Sequence, residues 1–70
     1  MIRMAPTREW IDKRDNTHWM LWLVRCDRPV LAFAAESGAR YSIEVGFRDE
    51  LEDRSDYALQ ELLDRAKAAA

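Results

Sequence analysis

The sequence predicts an α+β domain, a four-stranded antiparallel β-meander with one C-terminal α-helix packed on one face of the sheet. Three observations carry this prediction. Short runs rich in β-branched and aromatic residues recur up to residue 45. The connections between them are three to five residues long, too short for parallel crossovers. After Gly46 the apolar period changes from two to about 3.6.

The elements follow in order. "REWID", residues 8–12, holds strand-favouring Trp10 and Ile11, and "KRDNT" after it supplies the Asp and Asn of a tight turn. "HWMLWLVR", residues 18–25, runs as a second strand until "CDRP", where Pro29 cannot donate to a ladder. "VLAFAAE", residues 30–36, is the third strand. It ends at "SGA", where Gly38 is free to adopt a positive φ. In "RYSIEV", residues 40–45, Tyr41, Ile43 and Val45 point one way, and Ser42 and Glu44 the other.

"GFRDELEDR" reads as a loop with one helical turn around residues 49–52, anchored by Phe47 and Leu51. The helix over residues 56–68 has a mechanism at its start. Ser55 is a good N-cap, Asp56 faces the positive end of the helix dipole, and Arg65 and Lys67 sit near the negative end. Leu59, Leu62, Leu63 and Ala66 form a single apolar stripe, with Glu61 and Arg65 spaced for an i to i+4 pair. Following the fourth strand, the helix folds most simply onto the face that carries Tyr41, Ile43 and Val45. The larger residues of the third strand, Leu31 and Phe33, are expected on that face too.

"HWMLWLVR" poses a problem for so short a chain. A helix is about 10 Å across and strands are spaced about 4.8 Å apart, so one helix covers one face of four strands. Yet the second strand is apolar on both sides, with Trp19, Leu21 and Leu23 alternating with Met20, Trp22 and Val24, and the third adds Val30, Ala32 and Ala34. An apolar patch of that size exceeds what soluble monomers usually leave in water. Closure into a small barrel, or capping by residues 1–7 and 46–54, would answer it within the chain. A ligand or nucleic acid on that face is a second answer. Contact with another protein is the third and the favoured one, because a 70-residue domain buries a small share of its surface and gains stability by sharing a core.

Composition narrows the function classes. One cysteine, Cys26, excludes an intramolecular disulfide, and one His with one Cys is too few soft ligands for a structural zinc. With 49% apolar and 34% charged residues the chain belongs to the globular class rather than the disordered one. The net charge of −2 divides into +2 over residues 1–40 and −4 over residues 41–70, a gradient too mild for a nucleic-acid-binding tail. No run is long enough to span a bilayer and the start lacks the apolar core of a secretory signal, so a cytoplasmic location is expected.

Signals for chemistry are sparse. His18 has no partner motif and reads as a surface or partly packed histidine. Cys26, beside Arg25 and Arg28, reads as an inert turn residue, and Glu9, Asp12 and Asp15 as a solvated hairpin end. "RDELEDRSD" lacks the ligand spacing and glycine of a calcium loop. There is no phosphate-cradling glycine loop and no nucleophile motif, so neither an enzyme nor a cofactor is expected.

The sequence therefore predicts a small non-enzymatic interaction module, a homodimer or an accessory subunit of a larger protein complex. Its interface is the second apolar face, comprising Met20, Trp22, Val24, Val30, Ala32 and Ala34. The alternative is weak binding of single-stranded nucleic acid through Arg8, Trp10, Lys13, Arg14 and Arg25, where bases would stack on an aromatic ring beside cations.

Overall fold

In a computed structural model of the protein, the structure describes residues 5–25, 27–45 and 54–70. The strands are β1 (Arg8–Asp12), β2 (Thr17–Val24), β3 (Val30–Ala35) and β4 (Arg40–Glu44), followed by the helix α1 (Asp56–Ala69). The sheet order is β1-β2-β3-β4 with every neighbouring pair antiparallel, the expected meander. Strand and helix limits shift from the sequence reading by a residue, β2 beginning at Thr17 and α1 reaching Ala69. Cys26, Phe47, Leu51 and the helical turn expected around residues 49–52 lie outside the described residues.

Local chemistry explains the turns. Between β1 and β2, Asn16 takes φ 61°, a left-handed conformation that asparagine tolerates better than most residues. Its N–H donates to the Asp12 carbonyl at 2.7 Å, and the Asp15 carboxylate accepts from the Thr17 N–H at 3.0 Å. Between β3 and β4, Gly38 takes φ 100° and donates to the Ala35 carbonyl at 3.0 Å. Nothing lies within 4 Å of where a Cβ would stand at Gly38, so backbone conformation rather than space selects glycine there.

The helix begins as its sequence dictates, with the Ser55 hydroxyl accepting from the Ala58 N–H at 3.2 Å. Leu59, Leu62, Leu63 and Ala66 are buried. They meet Trp10, Trp19, Leu21, Leu31, Phe33 and Ala35 of the sheet, with Leu23, Tyr41, Ile43 and Val45 packed around them. Trp10 stands edge-on to Phe33 at 89° with ring centroids 6.1 Å apart, and Lys67 places its ammonium 5.0 Å from the Trp19 ring centroid.

Polar contacts tie the other flank of α1 to the first hairpin. Arg8 donates to the Arg54 carbonyl at 2.6 Å and to Asp56 at 2.9 Å. The Trp10 indole N–H donates to Gln60 at 2.9 Å, and Arg14 donates to Asp64 at 2.9 Å. Glu61 and Arg65 form no ion pair, and Gln60 instead bonds Asp64 at 3.1 Å.

Because Leu63 is fully buried and Leu62 nearly so, truncating either to alanine removes contacts from the centre of the core. Leu63→Ala is expected to lower the unfolding free energy by about 2–5 kcal/mol, and Leu62→Ala by somewhat less. Chemical denaturation checks this, and parent-like curves for both variants would mean that the helix does not hold the sheet.

Candidate functional site

The pairing register assigns every strand residue to a face. Trp19 lies opposite Trp10 and Ala35, and Leu21 opposite Arg8 and Phe33, all on the helix side. The alternate residues form the opposite face in rows across the strands. One row runs Glu9, Met20, Ala34, Arg40, and the next contains Trp22, Ala32 and Ser42, followed by Val24, Val30 and Glu44. All six residues expected at the interface, Met20, Trp22, Val24, Val30, Ala32 and Ala34, therefore share the face away from α1.

This face is apolar in its middle and charged at its sides. Ile11 is 55% exposed and Val24 44%, while Met20, Trp22, Val30, Ala32 and Ala34 are half-buried by their neighbours alone. Among the described residues no element of secondary structure lies over it. Its relief is uneven, because the large side chains Met20 and Trp22 stand on β2 and the small Ala32 and Ala34 beside them on β3. A concavity of ≈ 700 Å³ runs along the β4 side, bordered on this face by Trp22, Ala32, Ala34, Arg40 and Ser42 and on the helix side by Tyr41 and the end of α1.

At one end of the face His18 sits between two carboxylates, Nδ1 at 3.0 Å from Glu36 and Nε2 at 3.3 Å from Glu9. The hydrogen bond to Glu36 is the main cause that raises the imidazole pKa above its ordinary value of 6.5, against a smaller opposing effect of burial. Sequence reasoning missed this cluster. Its signal was present, since antiparallel pairing sets Glu9 diagonally from His18 and brings the Glu36 N–H to the His18 carbonyl at 3.4 Å. Of the three acids expected at a solvated hairpin end, Glu9 and Asp15 are exposed, but Asp12 lies on the opposite face from Glu9 and is buried.

Asp12 is a core residue, 4% exposed. Both of its carboxylate oxygens accept from the Arg14 guanidinium, at 3.1 and 3.0 Å, and one also takes the Arg14 backbone N–H at 2.9 Å. These bonds hold its carboxyl below the usual range, and Arg14 itself is kept protonated by Asp12 and Asp64.

Of the residues of the nucleic-acid reading, Trp10, Lys13 and Arg14 border one concavity, together with the acids Asp12, Asp56, Glu61 and Asp64. Trp10 is only 4% exposed and offers no stacking face. Arg8 and Arg14 are bonded to the helix, Lys13 is exposed in the first turn, and Arg25 lies past the far end of β2. Among the described residues no group of three or more His, Cys, Asp or Glu is arranged to hold a metal ion, and no helix is long and apolar enough to cross a membrane.

No protein-family model, no curated protein and no solved structure matches this chain.

His18 is the only histidine, so one imidazole resonance reports its titration directly. Because folding raises its pKa, the stabilisation from its two carboxylate partners is complete below about 6.5, the unfolded value, and is lost as pH rises through the folded one. NMR titration should place the folded midpoint above 6.5, and Glu36→Gln should move it down. A midpoint unmoved by Glu36→Gln would remove the bond to Glu36 as the cause.

Proposed function

We propose that the protein is a non-enzymatic interaction module that self-associates through the sheet face opposite its helix. The observation that carries the reading is that β2 is apolar on both sides while α1 covers one of them. Met20, Trp22, Val24, Val30, Ala32 and Ala34 form one contiguous surface, laid out by the pairing of β2 with β3. Burying them removes apolar area from water at about 25 cal/mol per Å². A second protein surface is what presents enough apolar area to do so, and in a domain this small it also completes the core.

Docking onto a larger complex as an accessory subunit uses the same face and the same residues. Nucleic-acid binding draws less support, because the tryptophan it needs is in the core and two of its arginines are already bonded to the helix.

Sedimentation over a range of concentrations tests the proposal. The parent is expected above the 8.2 kDa monomer mass. Trp22→Glu and Ala32→Glu each place a carboxylate in the buried centre and should reduce the particle to folded monomer. Arg65→Glu, on the exposed side of α1, should leave the mass unchanged. A parent that remains at monomer mass and tolerates glutamate at both positions with no change in solubility would overturn the reading.

A further inference from the structure

Resting on that reading, we infer that the partner is a second copy of this chain, stacked face to face about a two-fold axis parallel to the strands and running between β2 and β3. Glu9 of each copy then meets Arg40 of the other.

The inference comes from how the face is laid out. A two-fold axis in the plane between two stacked sheets either parallels the strands or crosses them. The parallel axis exchanges columns and keeps rows, so β1 lies over the partner's β4 and β2 over its β3. The crossing axis keeps columns and exchanges rows, so β2 lies over β2 and β3 over β3.

Size favours the first arrangement. With the parallel axis, Met20 meets Ala34 of the other copy, Trp22 meets Ala32, and Val24 meets Val30, so each ridge of β2 enters a trough of β3. The crossing axis sets Met20 against Trp22 and Ala34 against Ala32, ridge on ridge and trough on trough. Interfaces that hold are packed as closely as protein interiors, and the second arrangement leaves voids over β3.

Charge favours it independently. Glu9 and Arg40 occupy the two ends of one row, three strand spacings or about 14 Å apart in a single chain. Arg40 makes no ion pair among the described residues. Glu9 shares one histidine with Glu36, so the corner around His18 retains negative charge even when the imidazole is protonated. Exchanging columns brings the unpaired cation of one copy to the acidic corner of the other, twice per dimer. The crossing axis keeps Arg40 on the β4 side, where the acid it can meet is Glu44 of the other copy, already held by Arg28 of its own chain at 3.6 Å.

The test uses two single variants, Glu9→Arg and Arg40→Glu, in sedimentation equilibrium at low salt, with circular dichroism to confirm that each is folded. Each alone turns two attractive contacts into two repulsive ones and is expected to weaken the homodimer by about tenfold. An equimolar mixture restores both contacts in the heterodimer. It should therefore sediment as a dimer with a dissociation constant within about threefold of the parent's. Mixing changes nothing inside either chain, so a rescue can only report a contact between chains. Variants that dimerise like the parent, or that weaken and are not rescued on mixing, overturn this arrangement. If Trp22→Glu still splits the particle in that case, the face remains the interface and only the arrangement fails. If the parent is a monomer, the second copy fails with it.

Discussion

The second strand has two apolar sides and the described chain supplies one layer to cover them. β2 carries Trp19 and Leu21 into the core under α1, and with the same alternation it must carry Met20 and Trp22 to the other side. Had those alternate positions been polar, the sheet would be an ordinary half-covered one. As the sequence stands, the residues that let β2 anchor a tightly packed core also commit the opposite face to a large apolar surface. The proposed assembly rests on the composition of this one strand.

Which side the helix takes is decided by polar contacts as well as by leucines. The buried face of β1 carries Arg8, Trp10 and Asp12, and each is tied to the helix or its approach. Arg8 bonds Arg54 and Asp56, Trp10 bonds Gln60, and Asp12 grips Arg14, which in turn bonds Asp64. A single turn-to-helix chain, Asp12 to Arg14 to Asp64, fixes the first hairpin against the last element, fifty residues on. Folding thus joins the first strand to the helix, and one face of the central strands is enclosed beneath that helix.

Much of this was legible in the sequence because it is written in local chemistry. The pattern of "RYSIEV", the cap at Ser55, the stripe Leu59, Leu62, Leu63 and Ala66, and the glycine at position 38 each state a backbone preference that no distant contact contradicts. The face opposite the helix was legible as well, since alternation fixes which side chains share a side once the covered side is known. Trp10 and Asp12 were not. A short strand with charges at three of its five positions reads as a wet edge, and nothing local says that α1 will lie over it. The His18 cluster was missed for a related reason, because its members are neighbours only after the register is set.

Association through a face rather than through an edge is consistent with the edge strands. β1 and β4 are five residues each, and charged side chains occupy several of their positions, Arg8, Glu9 and Asp12 on one and Arg40 and Glu44 on the other. Short, charged edges discourage strand addition by a further chain. The same charges have another effect when two sheets stack. Those that point toward the open face stand at its sides, clear of the apolar centre, where they oppose wrong alignments without burying an ion. In the proposed dimer, apolar area in the middle supplies the driving force, and charge at the borders selects the orientation. That division of labour needs the two columns of charge to differ in sign where they meet, and in the row of Met20 and Ala34 they do.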